Sequence, residues 1–335
     1  MIIRTGIEVL RDGSFEPLTG ARRVGLLANP SSVDSRLRST TDILWNAPSV
    51  NLVALFSPEH GAAAAAPDAA KVDSSKDDHT GLQVYSLYGE TYRPTAEMLE
   101  GIDVIVCDIQ DVGVRYYTYV WTVAHILEAA GEHGVDVIVL DRPNPLSGVD
   151  VVGPCIGTEF TSFVGRFPIP IAHGLTLGEL ARMVNEVWNP TPAALTIVKC
   201  EGWQRSMDWE ETGLAWVPPS PAMPHPSTLR HYPGACLIEG TTLSEGRGTA
   251  LPFEVFGAPW IDPLALTKHL NDQGWGGVRF RPHTFMPTDS KWRNETCHGA
   301  QVHILDAEVW RPVAVWLGII REVRGLYPGH FGWLA

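Results

Sequence analysis

Three apolar runs in the first half of the chain each end in a group of polar residues. They are LVALFSPEHG at 52–61, VIVCDIQDVGVRYYTY at 104–119 and VIVLDRPNP at 137–145. Short continuous apolar runs are typical of parallel strands that are buried on both faces of a sheet. Ligands of such sheets bind beyond the carboxyl ends of the strands. The polar groups are therefore predicted to face one site.

Helical patterns alternate with these strands. RRVGLLAN at 22–29 predicts a further strand, and TTDILWN at 40–46 predicts a short helix. A helix over 176–188 begins with the spacing of a capping box, Thr176 followed by Glu179. Alternating strands and helices with short connections indicate parallel βαβ units. We therefore predict the α/β class, with a Rossmann-like parallel sheet that carries helices on both faces.

The composition changes beyond about residue 190, where tryptophans and prolines become frequent. The run VPPSPAMPHPS at 217–227 favours an extended polyproline-type conformation. Helices are predicted at 263–273 and 312–325, each with a proline in its first turn. Such a region indicates a smaller α+β domain. The predicted domains are a Rossmann-like domain at 1–190 and a smaller carboxyl-terminal domain at 191–335.

The charge balance limits the classes of partner. The 335 residues include 25 basic and 38 acidic side chains, which give a formal net charge of -13. This charge repels nucleic acid backbones and anionic lipid headgroups, so neither is an expected partner.

The five cysteines are odd in number and show no Cys-x-x-Cys spacing, which indicates reduced thiols. The amino terminus has no apolar signal-peptide region, and no stretch reaches the roughly 20 apolar residues of a membrane span. The expected location is the cytoplasm, or the periplasm or exterior if an export signal has been trimmed away.

Familiar cofactor and nucleophile motifs are missing from the sequence. There is no G-x-x-x-x-G-K phosphate loop, and G-x-G runs such as 246–248 do not open a helix after a strand. No G-x-S-x-G elbow and no H-E-x-x-H metal motif occur. We expect no cofactor and no metal.

Glu59 and His60 follow directly after the LVALF strand, in the sequence SPEHG. Pro58 and Gly61 flank them and favour a tight turn. A carboxyl group held at a strand end beside apolar sequence is a candidate general acid. The alternative is that Glu59 only caps a helix or stabilises the turn.

The segment DIQDVGVRYYTY collects charged, amide and aromatic side chains. Tyrosine rings pack against the apolar faces of sugars while their hydroxyl groups hydrogen-bond, and arginine offers a planar fork to a carboxylate. This mixture favours an anionic sugar as the ligand. In the alternative, Asp108 and Arg115 form a structural ion pair and the tyrosines belong to the core. The candidate contacts are Asp108, Gln110, Asp111, Arg115, Tyr116 and Tyr117.

Two later segments add candidate contacts. Asp141, Arg142 and Asn144 follow a strand in LDRPNP, either as ligand contacts or as an Asx-type turn with a local Asp-Arg pair. His173 precedes a predicted helix, where it either contacts a ligand or packs.

Another group of charges lies in EGTTLSEGRGTALPFE at 239–254, where Glu239, Glu245 and Arg247 stand among small residues. This composition suits a loop that closes over a polar ligand, and it is equally common in solvent-exposed turns.

Seven sequence blocks resemble, in order, the motifs of the bacterial exo-β-N-acetylmuramidases, a family formerly catalogued as a domain of unknown function. They cover most of the chain up to about residue 260. The blocks are SPEHG, TGLQVYSLYGETYRPT, DIQDVGVRYYTY, LDRPNPLSG, SFVGRFPIPIAHGLTLGELA, WVPPSPAMP and CLIEGTTLSEGRGTALPFEVFGAPW.

The resemblance implies an active site in a cleft between a Rossmann-like domain and a smaller carboxyl-terminal domain. It also implies release of terminal N-acetylmuramic acid from the non-reducing ends of peptidoglycan fragments. Glu59 is then the catalytic carboxylate, and the other candidate residues are substrate contacts. Arginine suits the lactyl carboxylate of muramic acid. The implied partner is a glycan fragment that contains muramic acid.

Three features depart from the family pattern. Alanines 62–66 stand where Phe-Arg-Gly is usual, Ala222 stands where the family's PSPNMP has asparagine, and the chain ends at Ala335, earlier than most members. The first two remove candidate polar contacts, so the sugar specificity stays open. The third is compatible with a truncated product or a missing lid.

Two rival classes remain at this point. A carbohydrate-binding or peptidoglycan-sensing protein would bind the glycan without releasing sugar. A metal-dependent hydrolase using His60, His173 and aspartates would lose activity on chelation. The sequence leaves open the stereochemical outcome, the catalytic partner of Glu59, the exact aglycone and the oligomeric state.

Overall fold

The computed structural model describes residues 3–20, 22–67 and 70–334. The chain divides into two compact units, unit 1 at Met1–Pro221 and unit 2 at Ala222–Ala335. The domain boundary predicted between residues 190 and 191 therefore precedes the observed boundary, between Pro221 and Ala222. The reason is that β7 (Leu195–Val198) pairs with β6 (Asp136–Leu140) and so belongs to the sheet of unit 1.

Unit 1 is built on a seven-stranded sheet. Its remaining strands are β1 (Arg23–Ala28), β2 (Asn51–Ser57), β3 (Ser75–Lys76), β4 (Gln83–Ser86) and β5 (Val104–Asp108). The spatial order is β3-β4-β2-β1-β5-β6-β7. All neighbouring strands are parallel except the short β3, which runs antiparallel to β4. The predicted Rossmann-like parallel sheet is confirmed.

The chain reverses its direction of travel across the sheet at β1, because β2 lies on one side of β1 and β5 on the other. Loops that diverge at such a point open a crevice at the carboxyl edge of the sheet. Ala28 at the end of β1 pairs with Asp108 at the end of β5, and Ser57 of β2 pairs with Ser86 of β4. The loops that follow these four strands therefore begin side by side.

Both faces of the sheet are buried. On one face Val24 and Val104 belong to a core cluster with Ile7 and Leu44, which come from two helices. On the other face the alternate residue Leu27 is also fully buried. Burial on both faces explains why the strands read as continuous apolar runs.

Capping residues mark helix starts in unit 1. Thr176 accepts a hydrogen bond from Glu179 N, and the Glu179 side chain accepts one from Thr176 N, so the predicted capping box is formed. Ser39 accepts from Asp42 N and caps the predicted short helix. The helices are α1 (Gly6–Asp12), α2 (Thr40–Trp45), α3 (Ala96–Leu99), α4 (Tyr119–His133) and α5 (Leu177–Met183), with a π-helix at Val184–Trp188 and 3₁₀ turns at Glu16–Leu18, Thr158–Phe160 and Glu210–Thr212.

Unit 2 has a three-stranded antiparallel sheet with helices, as the predicted α+β class requires. Its strands are β8 (Val255–Ala258), β9 (Val278–Phe285) and β10 (Cys297–Ile304), in the order β8-β10-β9. Its helices are α6 (Pro226–Ala235), α7 (Pro263–Asp272) and α8 (Pro312–Leu326), with a 3₁₀ turn at Cys236–Gly240. The Asp262 side chain accepts from Leu264 N and Ala265 N and so caps α7.

The sequence did not predict the helices α1 and α6 or the strands β3, β7, β8, β9 and β10. α6 begins at Pro226, inside the run expected to be extended, and contains Pro233. Prolines normally argue against a helix, although one in the first turn is well tolerated. β7 is a four-residue strand whose side chains are mostly half-buried, so it lacks a clear apolar run. α1, within residues 6–12, was also not predicted.

Candidate active site

Glu59 lies in a tight turn directly beyond β2. Gly61 N donates to Pro58 O at 3.1 Å, which closes the turn. His60 has φ 68° and Gly61 has φ 77°, both in the left-handed region. That conformation is unfavourable for a residue other than glycine, and it persists at His60 only because surrounding contacts hold it. The turn keeps Glu59 buried, with 5% of its surface exposed.

The carboxylate of Glu59 contacts the amino end of α4. Thr118 Oγ1 donates to Glu59 Oε2 at 2.6 Å. The next residue, Tyr119, donates its hydroxyl proton to Pro219 O and accepts from Asn29 Nδ2 at 3.0 Å. Burial raises the pKa of the Tyr119 phenol, so the group stays neutral and able to donate. The loops after β1 and β2, the start of α4 and the proline-rich segment thus meet around one carboxyl group.

Asn29, Thr118 and Tyr119 were not among the predicted site residues. Asn29 is the first residue after β1, so the rule that ligands bind beyond strand ends would have included it. Thr118 is the amino-terminal cap of α4, directly after the tyrosines that were selected. Their contacts with one another and with Glu59 join residues that are far apart in the sequence, so no local sequence pattern predicts them.

His60 is oriented by the loop that follows it. Its Nδ1 lies 2.8 Å from Ala66 O, which can only accept, so Nδ1 carries the proton of the neutral ring. Ala66 N in turn donates to His60 O at 3.2 Å. Ala62 in the same loop lines a cavity of about 390 Å³ together with Asn29 and Phe56. The small side chain at position 62 therefore leaves space next to the carboxyl ends of β1 and β2.

Asp108 and Arg142 form a buried ion pair. Arg142 donates to Asp108 Oδ1 from Nε at 2.5 Å and to Oδ2 from Nη2 at 3.0 Å. Thr40 Oγ1 also donates to Asp108 Oδ2, and Arg142 Nη2 donates to Val33 O at 2.8 Å. The alternative pair of Asp108 with Arg115 is wrong. The local pair of Asp141 with Arg142 is also wrong, since the guanidinium reaches back to Asp108.

Asp111 differs from Asp108 in having unused hydrogen-bonding capacity. Its Oδ2 accepts from Gly113 N at 2.8 Å, and its Oδ1 has no hydrogen-bond partner among the described residues. His173 Nδ1 accepts from Leu175 N, so the neutral ring carries its proton on Nε2, 3.5 Å from Asp111 Oδ2. Gln110 Oε1 likewise lacks a partner within the described chain. Asp111 and Gln110, beyond β5, thus each offer an acceptor oxygen, and the buried His173, before α5, offers one N–H donor.

Arg115 is held by main-chain carbonyls. Its Nη1 donates to Pro154 O at 2.8 Å and to Ile169 O at 2.7 Å, and Nε has no partner in the described part of the chain. Burial lowers the pKa of Arg115. The neighbouring Tyr116 is half-buried. The guanidinium is therefore fixed in place without a carboxylate bound to it through Nη1 or Nε.

Tyr117 lies inside unit 1. Its ring centroid is 4.7 Å from that of Tyr119, and the two rings are tilted by 60°. Burial raises the pKa of Tyr117 well above its ordinary value. Tyr117 is therefore a buried tyrosine that packs against Tyr119, as the alternative interpretation of this segment predicted.

Asp141 and Asn144 stabilise loops. Asp141 accepts from Thr176 Oγ1 and from Gly178 N, both at 2.8 Å, and so caps the start of α5. Burial raises the pKa of Asp141, although these hydrogen bonds oppose the change. Asn144 Nδ2 donates to Leu175 O at 2.9 Å. Both side chains hold the segment that carries His173.

The three candidates in unit 2 form one charge cluster, in which Glu245 and Arg247 are buried and Glu239 is half-buried. Arg247 donates to Glu239 Oε1 from Nε at 2.7 Å and lies 3.5 Å from Glu245 Oε1. Lys291 Nζ lies 2.9 Å from Glu245 Oε2. The Arg247 guanidinium also lies over the ring of Phe253, at 5.0 Å from its centroid. The segment is thus not a solvent-exposed turn, and its role in substrate binding stays a prediction.

The described residues contain neither a group of metal ligands nor a membrane-spanning helix. Among residues 3–20, 22–67 and 70–334, no three His, Cys, Asp or Glu side chains are grouped to hold a metal ion. No helix in these ranges has the length and apolar composition of a membrane span. All five cysteines are free thiols.

Comparisons with known proteins cover nearly the whole chain. The family model "Exo-beta-N-acetylmuramidase NamZ, N-terminal" matches residues 24–227, and "Exo-beta-N-acetylmuramidase NamZ, C-terminal" matches residues 230–335. The chain is 45% identical over 333 residues to the peptidoglycan β-N-acetylmuramidase NamZ of Bacillus subtilis (strain 168). That alignment covers 99% of this chain and 80% of the relative.

Two solved structures of DUF1343 family proteins from Bacteroides fragilis NCTC 9343 have similar folds. One is 45% identical, has a TM-score of 0.91, and is matched over 98% of this chain and 84% of its own. The other is 31% identical, has a TM-score of 0.75, and is matched over 98% of this chain and 85% of its own.

Proposed function

Because this chain belongs to the NamZ family of exo-β-N-acetylmuramidases, we propose that it is a peptidoglycan glycoside hydrolase. It releases terminal N-acetylmuramic acid from the non-reducing ends of peptidoglycan fragments. The observation that carries the proposal is the buried carboxyl group of Glu59, held at the carboxyl edge of the sheet by Thr118.

Glu59 acts as the general acid that protonates the departing glycosidic oxygen. Glycoside cleavage passes through an oxocarbenium-like transition state in which the leaving oxygen needs a proton. The hydrogen bond from Thr118 to Oε2 fixes the carboxyl group in one orientation, and the tight turn fixes its backbone. A group oriented before the substrate arrives loses less entropy in the transition state.

A second group must stabilise or trap the positive charge that develops at the sugar. Of the three aspartates at strand ends, Asp108 is bound to Arg142 and Asp141 caps α5, whereas Asp111 retains an unpaired oxygen. Asp111 is therefore the candidate carboxylate. The acetamido group of the substrate is the alternative, as in glycosidases that use substrate assistance.

Arg115 is the proposed partner of the lactyl carboxylate of muramic acid. A carbonyl-anchored guanidinium presents its donors in a fixed direction, which suits a charge-assisted contact with a carboxylate. His60, Gln110, Tyr116 and His173 complete the proposed set of polar substrate contacts around the strand ends.

The direct test is incubation with the disaccharide that carries N-acetylmuramic acid at the non-reducing end and N-acetylglucosamine at the reducing end. Mass spectrometry should detect free N-acetylmuramic acid, and the disaccharide of reversed order should stay intact. A protein that binds the first disaccharide but releases no sugar would be a carbohydrate-binding protein instead.

We also propose the cytoplasm as the location. Five free thiols support a reducing compartment, because disulfides form and persist mainly in oxidising ones. Cell fractionation with an antibody against the protein tests this assignment, and recovery from the culture medium would contradict it.

A further inference from the structure

Stacked aromatic rings form a series at the surface of unit 1. The rings of His125 and Phe163 are stacked with centroids 5.8 Å apart and planes at 18°. The rings of Phe163 and Tyr92 are stacked at 4.6 Å and 30°. Tyr88 lies at a steep angle to Tyr92, with centroids 5.2 Å apart and planes at 71°, and its centroid is 5.8 Å from that of Phe163. Tyr88 is buried whereas Tyr92 is 42% exposed, so Tyr92 offers an aromatic surface to solvent.

The strand register places this series next to Glu59. Ser57 at the end of β2 pairs with Ser86 at the end of β4, and Leu87 N donates to Ser57 O at 2.9 Å. Glu59 and Tyr88 each follow two residues after these paired ends. The loop that carries Tyr88 and Tyr92 therefore leaves the sheet beside the turn that carries Glu59.

Helix α4 also shows that the aromatic series lies close to Glu59. Thr118, which donates to Glu59, and His125, which begins the aromatic series, are seven residues apart. Seven residues make two helical turns, so both side chains project from one side of α4, about 10 Å apart along its axis. The series thus starts a short distance from the proposed acid, on the same surface of the helix.

The turn that carries Phe163 is fixed in position. Ser162 N donates to Gly165 O at 3.2 Å, and Gly165 N donates to Ser162 O at 3.1 Å, which closes a two-residue turn. A Cβ atom at Gly165 would lie 3.6 Å from Arg115 Nε, so the turn lies against the proposed carboxylate-binding arginine. Arg166 Nη2 donates to Glu128 Oε1 at 2.8 Å and ties the turn to α4.

We infer that the exposed face of Tyr92, supported by Phe163 and Tyr88, stacks on the sugar at the leaving side of the scissile bond. This inference rests on the proposed function and adds a binding residue for the N-acetylhexosamine that departs. Aromatic faces pack against the C–H faces of pyranose rings, and charged groups such as Arg166 and Glu128 at the border of the series match sugar hydroxyl groups.

The difference in burial between Glu59 and Tyr92 indicates which sugar of the substrate Tyr92 contacts. An enzyme that removes a terminal sugar encloses that sugar and leaves the rest of the chain free to extend outward. Glu59 has 5% of its surface exposed and lies on the enclosed part, whereas Tyr92 is 42% exposed. The open surface therefore suits the sugar through which the glycan continues into solvent.

The experiment compares two substrates of N-acetylmuramic acid, the disaccharide with N-acetylglucosamine and the methyl glycoside, which has no sugar on the leaving side. The measured quantity is the ratio of kcat/KM for the disaccharide to kcat/KM for the methyl glycoside. In Tyr92→Ala this ratio should fall about fivefold to tenfold, the usual effect of losing one aromatic stacking contact. Tyr92→Phe keeps the ring and should restore the wild-type ratio.

Phe160→Ala is the matched control, since Phe160 is a 70% exposed phenylalanine three residues before Phe163. An unchanged ratio in Tyr92→Ala, or an equal fall in Phe160→Ala, would overturn the inference. A loss seen only with peptide-bearing substrates would identify a peptide contact and would also overturn it.

The two proposals can fail separately. If the wild-type protein cleaves neither substrate, the proposed hydrolase activity fails. The dissociation constant of the uncleaved disaccharide, measured by calorimetry for wild type and Tyr92→Ala, then decides the inference. Weaker binding by about fivefold to tenfold in Tyr92→Ala supports the stacking contact, and equal binding refutes it.

Discussion

Three aspartates at neighbouring strand ends differ in what surrounds them. Asp108 accepts both arms of Arg142, and Asp141 accepts from Thr176 and Gly178 at the start of α5. Asp111 alone among these three retains an oxygen with no hydrogen bond in the described residues. Buried donors occupy both oxygens of Asp108 and of Asp141, whereas Asp111 keeps one oxygen for a ligand, so the surroundings of each aspartate assign it a structural or a chemical role.

The first prediction contrasts Asp108→Asn with Asp111→Asn. In Asp108→Asn the new side chain would direct amide N–H groups or an uncharged oxygen at the buried Arg142 guanidinium, so the free energy of unfolding should fall by about 3–5 kcal/mol. In Asp111→Asn the new side chain keeps an oxygen for Gly113 N, so the change should stay below about 1 kcal/mol. Urea denaturation measures both values.

Activity should rank the two variants in the opposite way. Asp111→Asn should lower kcat on the disaccharide by about a hundredfold or more, the usual contribution of a positioned carboxylate. Folded Asp108→Asn, assayed at low temperature, should retain more of the wild-type kcat than Asp111→Asn. Equal losses of stability in the two variants would show that the assignment of roles is wrong.

Helix α4 connects the proposed acid to the rest of the site. Its cap Thr118 donates to Glu59, and its first residue Tyr119 donates to Pro219 O of the proline-rich segment. Its second turn carries His125 of the aromatic series. The alternation of strands and helices in the sequence predicted helices between the buried strands. It did not predict the contacts at the amino end, because Pro219 and Asn29 are remote in the chain from Tyr119.

The second prediction concerns Thr118. Thr118→Val removes the hydroxyl group at constant shape, and Thr118→Ser keeps it. As Glu59 transfers its proton, the hydrogen bond from Thr118 becomes one to a charged group, which contributes about 1.5–3 kcal/mol, so kcat should fall roughly tenfold to a hundredfold in the valine variant. KM should change little, because Thr118 acts through Glu59. Steady-state kinetics with the serine variant near wild type would support this, and equal losses in both variants would contradict it.

Helix α6 contains a buried histidine with consequences for acid stability. The His231 ring lies edge-on to Trp310 and to Trp316 of α8, at 5.6 and 6.2 Å, and His231 Nδ1 has no hydrogen bond in the described structure. Burial, with a smaller effect of His303, lowers the pKa of His231 from its ordinary value of 6.5 to about 3. The folded protein therefore keeps this ring neutral.

The third prediction follows from the difference between the pKa of His231 in the folded protein and its pKa in the unfolded chain. Below pH 6.5 the unfolded chain binds a proton at His231 that the folded chain does not bind until about pH 3. The free energy of unfolding should fall by up to about 1.4 kcal/mol per pH unit across this window as the pH decreases. His231→Met should remove that part of the slope, as measured by urea denaturation between pH 7 and about pH 4.

A matched control is His133→Gln, at an exposed position of α4. Its pH dependence should stay like that of the wild type. The same slope in the wild type and in His231→Met would show that His231 does not titrate differently in the folded and unfolded chains.

For the whole molecule, the sequence predicted what depends on local pattern. Buried strands such as β5 show as apolar runs, and capping boxes such as Thr176 with Glu179 mark helix starts. It did not predict β7, which has no such run, or α6, whose prolines argue against a helix. It selected the polar residues at strand ends but could not tell satisfied side chains from available ones, since partners such as Asp108 and Arg142 are distant in sequence.

The measurement that tests the central claim most directly is the leaving-group dependence of Glu59→Gln. On the disaccharide, kcat should fall by about 10²–10⁴-fold, because a sugar alkoxide cannot depart without a proton. On the dinitrophenyl glycoside of N-acetylmuramic acid, whose leaving group needs no proton, most of the wild-type kcat should remain. Near-full activity of Glu59→Gln on the disaccharide would contradict the role of Glu59 as the acid.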